Sequence, residues 1–139
     1  SCNLFLAGGP AEGTPCAMVV AKNFEETQKA KIVAHRCYFG GGQDGFRLGG
    51  QGDIDLELRD CAFEQFIRAF DVGGTGNMKC TMDHVSLFVG EGPVVKLSEL
   101  RRATFDVKDT IFSRLRNVSS WPLIQVLVEG NPSIAEEPW

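Results

Sequence analysis

Asp55, Glu57, Asp83 and Asp106, with Arg59 and His35 near them in the chain, are the residue types that acid–base chemistry or cation binding would need. Calcium takes six to eight oxygens, so these carboxylates matter only if the fold gathers them at one point. His35, His84 and Cys37 offer imidazole and thiol groups for metal or nucleophile chemistry. The stretch "GGTGNMK" (73–79) has the glycines of a phosphate loop. It lacks the Gly-Lys-Ser/Thr ending and leads into a strand pattern rather than a helix, so it reads as a corner. Tyr38, Trp121 and Trp139 could stack on a sugar, Trp121 foremost, although an aromatic at a long turn more often covers the core. The five cysteines contain no C-x-x-C pair, which excludes a zinc knuckle or thioredoxin-type site and leaves them as small buried hydrophobes. A Cys2–Cys16 bridge stays open.

The elements that must position these side chains are legible as a repeat. Ile32, Leu56, Cys80 and Phe105 are separated by 24, 24 and 25 residues. Around them run further apolar or small columns: Ala30–Ile54–Met78–Ala103, Ala34–Leu58–Met82–Val107, Cys37–Cys61–Val85–Thr110 and Phe39–Phe63–Leu87–Phe112. Phe46 and Leu48 recur as Phe70 and Val72, then one residue late as Val95 and Leu97. Within a unit the apolar positions alternate with period two, skip by three, and resume period two. Period two is strand, and the skip is a bend that keeps both strands facing inward. Glycine clusters at 40–45, 49–52, 73–76 and 90–92 supply corners. The pattern predicts an all-β fold, a right-handed parallel β-helix solenoid of about five rungs starting near residues 4, 32, 56, 80 and 105.

A fainter first copy aligns Leu4, Leu6, Met18 and Val20 with Ile32, Ala34, Phe46 and Leu48, with residues 21–30 lengthening that turn by four. The last copy is stretched by "SRLRNVSSWP" (113–122) before "LIQVLV" (123–128). The repeat domain thus spans 3–128, and residues 129–139 form an acidic, proline-bearing tail or linker. Stacked coils make outward columns His35–Arg59–Asp83–Lys108, Lys31–Asp55–Lys79–Thr104, Val33–Glu57–Thr81–Asp106 and Arg47–Asp71 followed by Lys96 or Ser98, with Arg36–Asp60–His84–Asp109 at the bend. Charges along them largely alternate, as neighbours across rungs should. In this arrangement each acid faces a neutral or basic residue, which describes a salt-bridge ladder better than a calcium site, and the two histidines fall on different columns. An antiparallel sandwich gives no reason for that order.

The pattern I/L-x-L-x-x-C-x-F, in "LELRDCAF" and "IVAHRCYF", resembles the pectin-lyase-like β-helix superfamily. "GTPCAMVV", "LELRDCAF" and "DVKDTIFSR" look like repeat regions appended to large bacterial proteins, including some Ser/Thr protein kinases. The resemblance, over roughly residues 3–128, implies the fold. For activity it implies polysaccharide lyase or hydrolase chemistry, in which clustered acids hold calcium and an arginine is the base. The hydrolase motifs Asn-Thr-Asp, Asp-Asp, Gly-His-Gly and Arg-x-Lys do not occur here.

A chain of 139 residues, 43% hydrophobic and 23% charged, is sized for one domain with a real core. Its net charge of −4 argues against nucleic-acid binding, and no apolar run is long enough for a membrane span. The leading expectation is a non-enzymatic repeat domain, a spacer or binding platform within a larger protein, with no cofactor and no metal. A carbohydrate-active β-helix and a self-assembly module joining through open rung ends are the alternatives. A catalytic reading would have to use Arg59, Asp83 and His35; ligand contacts would fall to Glu57, Asp106, Lys108 and Trp121. The partner would be the parent chain, another protein or a carbohydrate.

Overall fold

The computed structural model describes residues 2–5, 17–90, 92–114 and 124–127. Period-two alternation does become strand, and every strand pair is parallel. The strands in chain order are β1 (Cys2–Phe5), β2 (Ala17–Phe24), β3 (Lys29–His35), β4 (Cys37–Gly50), β5 (Asp53–Gly74), β6 (Asn77–Val89), β7 (Val95–Ser98), β8 (Arg102–Lys108), β9 (Ile111–Arg114) and β10 (Ile124–Leu127). They stack as a parallel β-solenoid of about four turns, with no helix among the described residues.

The pairing register reproduces the repeat columns. Ile32 lies beside Leu56, Leu56 beside Cys80 and Cys80 beside Phe105; Phe46 lies beside Phe70, and Phe70 beside Val95. Self-stacking columns of one residue type build the core. Phe39 stacks on Phe63 with ring centroids 4.6 Å apart, Phe46 lies over Phe70 at 5.8 Å, and Phe63 tilts against Phe70 at 5.6 Å. Leu56, Leu58, Phe63 and Phe70 are fully buried between two covering coils. Ile32 and Phe105, in the outer coils, are only partly buried. Aromatic pairs of this kind add about 0.5–1.5 kcal/mol beyond their buried area.

The three-residue skip has a backbone cause. Arg36, Asp60, His84 and Asp109 all adopt left-handed φ, at 55°, 51°, 53° and 46°. One left-handed residue turns the strand so that the alternation restarts with its apolar side still inward. Aspartate and histidine tolerate that region better than most residues, so no glycine is needed. Glycine is required at the opposite corner. Gly74 has φ 122°, and a side chain there would collide with the Gly50 carbonyl of the coil below; Gly76 stands in the same relation to the Gly52 carbonyl. Successive corners touch backbone to backbone.

The first coil departs from the expected register. Leu4 pairs with Phe39 rather than Ile32, so β1 lies after the bend, not before it. Val19 and Ala21, not Met18 and Val20, pair with Phe46 and Leu48. A one-residue slip swaps faces: Val19 and Ala21 pack on the core, whereas Val20 is 58% exposed. The extra residues therefore fall mainly between Phe5 and Ala17. Residues 21–30 are the end of β2, with left-handed Asn23 at an irregularity, then a turn and the start of β3. At the other end Ile124 and Val126 pair with Val95 and Leu97, as the stretched last copy predicts. Residues 129–139 and the Cys2–Cys16 pairing lie outside what the structure describes.

Three outcomes test this architecture. Leu58→Asp places an unpaired charge between two coils and should abolish the cooperative urea transition. Arg59→Ala removes a 54% exposed side chain and should shift stability by no more than about 0.5 kcal/mol. Gly74→Ala should cost more than about 1 kcal/mol in the same measurement, because it combines left-handed strain with a backbone collision.

Candidate functional site

The expected site residues lie on the outward face of the first strand of each coil, where alternation places them, but they do not converge. Asp55, Glu57, Asp83, Arg59 and His35 are engaged across the coil boundary. Lys29 Nζ lies 3.2 Å from Asp55, His35 Nε2 3.1 Å from Glu57, and Arg59 Nε 3.7 Å from Asp83. Two of these contacts are diagonal rather than within one column, since Lys29 stands beside Asp53 and His35 beside Arg59 in the register. Asp106 pairs with Thr81 and Lys108 with Asp83 in register, and the Lys108 ammonium reaches Asp109 at 3.9 Å. Trp121 lies outside the described residues. Exposed pairs of this sort contribute about 0–1 kcal/mol each, and among the described residues the expected set of Arg59, Asp83, His35, Glu57 and Asp106 is spread over separate contacts rather than gathered at one point.

Two further sequence candidates resolve into structure. "GGTGNMK" is the Gly74–Thr75–Gly76 corner followed by β6, so no helix N-terminus is available to a phosphate. The Asn77 backbone N–H instead donates to Asp53 Oδ1 at 3.0 Å, helped by its side-chain amide at 2.9 Å, and these bonds hold the Asp53 carboxyl below its usual value. The Tyr38 hydroxyl donates to Glu64 at 2.7 Å, which pushes the phenol up.

At the bend, Asp83, His84 and Asp109 bring one donor atom each within 4.8 Å of one another, close enough for a metal ion. His84 Nδ1 lies 2.8 Å from Asp83, and Nε2 lies 3.7 Å from Asp109. Arg59 and Lys108 stand against the same two carboxylates, so an entering cation would have to displace them.

The most covered charges belong to a different face. Asp44 has no exposed surface, and its carboxylate accepts from Arg68 Nε at 2.7 Å and from Arg47 through Nε at 3.1 Å and Nη2. Asp71 continues the ladder, 3.4 Å from Arg68, 4.0 Å from Arg47 and 3.9 Å from Lys96. Register explains the geometry: Asp44 lies beside Arg68, Arg47 beside Asp71, and Asp71 beside Lys96, which selects Lys96 over Ser98 as the third member of that column. Among the described residues no buried side-chain oxygen or nitrogen lacks a partner. Three N–H donors engage both oxygens of the Asp44 carboxylate, so it acts as a fixed anchor that orients two guanidinium groups.

Asp44 sits in the glycine cluster at 40–45, which by itself reads as a corner in the linear chain and gives no sign of a covered charge. The available signal was an acid one repeat before Arg68 and three residues before Arg47. Beside this ladder an open cleft of about 400 Å³ runs along the solenoid axis, lined by Lys22, Arg47, Asp71 and the Gly49–Gly50 and Gly73–Gly74 backbone.

Asp44→Asn should lower unfolding free energy by about 3 kcal/mol, since two largely covered arginines would lose their shared counter-charge; urea denaturation reads it. Burial pushes the Cys80 thiol up to about 12 from its ordinary 9.0. The folded state therefore keeps this proton after the unfolded chain has begun to lose it. Any stability carried by Cys80 is whole below pH 9.0 and declines between 9.0 and about 12. Thiol reagents near neutral pH should label Cys80 only after unfolding.

Comparison with family models, with curated proteins and with solved structures found no match to this chain.

Proposed function

We propose that this chain is a non-enzymatic β-solenoid domain, a rigid binding platform or spacer within a larger protein. One observation carries the reading: each described residue that a catalytic mechanism would have to recruit is engaged with a charged neighbour from the adjacent coil, Arg59 with Asp83 and His35 with Glu57. Catalysis by a carboxylate and a base needs both free and aimed at one substrate atom. A ladder of cross-coil pairs instead holds the face in one arrangement, which suits presentation of a surface. The resemblance to repeat regions of large bacterial proteins supports the same reading.

The carbohydrate-active alternative draws on the pectin-lyase-like texture of the repeat. Self-assembly through the end coils is less favoured by charge. A second copy stacked in register would set Lys29 beside Arg102, and like charges in register oppose edge-to-edge pairing, although the same register sets Arg36 beside Asp109. Incubation with acidic polysaccharides, with and without calcium, should give no cleavage product. Turnover that disappears in Asp83→Ala or Arg59→Ala would overturn the platform reading. Light scattering across a concentration series should show no growth in mass.

A further inference from the structure

The glycines beside the charge ladder are not equivalent. At Gly50 an added side-chain carbon would sit 2.7 Å from the Phe24 ring, and at Gly49 3.1 Å from the Gly73 carbonyl. Gly74 combines left-handed backbone with a collision against the coil below. Those three are demanded by packing. Gly73 is not. Its φ lies outside the left-handed region, and a side-chain carbon there would meet only Ser98, at an ordinary 3.7 Å. Glycine inside a strand weakens it, and where neither conformation nor space calls for one, close approach by a ligand is one of the few reasons for it that remain, beside a bulge or a bend. Gly73 and Gly49 lie side by side in register and form the bare floor of the axial cleft.

The walls of that cleft state what would approach. Lys22 closes one end and, among the described residues, has no carboxylate partner. Arg47 and, beside it in register, Asp71 form the side wall; Arg47 has only 17% of its side chain exposed and is oriented from behind by buried Asp44. Lys96 follows in the same column beyond Asp71. Among the charged residues that line the cleft, Lys22 and Arg47 are cationic and Asp71 is anionic, an excess of one positive charge, and Asp71 is itself countered from outside the cleft by Arg68 and Lys96. A largely covered guanidinium is screened less by salt than one in open water, and its fixed fork suits a planar or tetrahedral oxyanion.

We propose that the glycine-floored cleft between Lys22, Arg47 and Gly73 binds the oxyanion of a ligand, a phosphate, sulfate or carboxylate group, with the ligand lying against the bare main chain of Gly49 and Gly73. This deepens the platform reading and rests on it only for its context. Asp44 acts as a positioning residue for Arg47 and does not touch the ligand.

The test is an amide-resolved NMR titration of the chain with inorganic phosphate, sulfate and citrate, each against sodium chloride of equal ionic strength. Saturable shifts confined to residues 22–24, 47–51 and 73–75 are expected with at least one anion. A phosphate or sulfate response without citrate identifies a tetrahedral oxyanion, and the reverse identifies a carboxylate. Gly73→Leu fills the floor without entering the core and should abolish the shifts while the thermal midpoint stays near that of the parent. Lys22→Gln, on an exposed side chain, should weaken binding about tenfold, the loss of roughly one charged contact. Lys79→Gln, on the other face, should leave it unchanged. Should Gly73→Leu fold poorly, Gly73→Ala and Lys22→Gln carry the comparison. The proposal is overturned by shifts that never saturate, by equal shifts around Lys29 and Lys31, or by undiminished affinity in Gly73→Leu and Lys22→Gln. Such a failure leaves the platform reading standing, whereas polysaccharide turnover would remove the platform reading and leave the anion result intact.

Discussion

Parallel in-register stacking is the constraint from which the rest of this structure follows. Neighbouring strands sit about 4.8 Å apart, so a residue's closest non-local contact is its own counterpart one repeat away. Any type that stacks well on itself is therefore favoured in its column, and any type that repels itself is penalised. Phe39 over Phe63 and Phe46 over Phe70 satisfy that condition inside. Left-handed Arg36, Asp60, His84 and Asp109 satisfy it at the bend, because a coil that turns elsewhere would break the hydrogen bonds to both neighbours. At the far corner the same closeness leaves room only for glycine at positions 74 and 76.

Charge obeys the same geometry with the opposite preference. A self-stacking charged column would place like beside like, so the ladders alternate: Arg59 meets Asp83, Arg47 meets Asp71, and Asp71 meets Lys96. On the exposed first-strand face these contacts are weak and screened. Around Asp44 they are covered, and there the geometry must be nearly complete to offset desolvation. Three N–H donors on one carboxylate meet that requirement. The consequence for function is an arginine, Arg47, held rigidly at the rim of a cleft, rather than a carboxylate free to exchange protons.

The two faces of the solenoid are thus suited to different work. The first-strand face carries the acids, histidines and bases that look chemical in the linear chain, yet distributes them along separate contacts. The face after the bend carries fewer such residues but combines covered cations, bare backbone and a concavity. A platform needs only that second combination: a rigid scaffold, an opening and an unbalanced charge.

By itself the sequence determined the repeat length, the strands, the inward columns from Ala30 to Leu97 and their register, because four copies of one alternating pattern overdetermine the phase. It could not place the first copy. "AMVVA" (17–21) is apolar at every position, so alternation there has no phase, and only pairing with β4 decides that Val19 and Ala21 face in and Val20 out. It also concealed the left-handed bends, since Arg, Asp and His at those sites carry no glycine signal. Asp44 was hidden for a further reason. Its partners are two arginines, one three residues away and one a full repeat away, and only the stacked coils bring both to the same carboxylate while leaving Gly73 bare nearby. Columns are a property of the period and can be counted along the chain. Which side chain bends across to which neighbour, and what space remains, is a property of packed volume and exists only once the coils are wound.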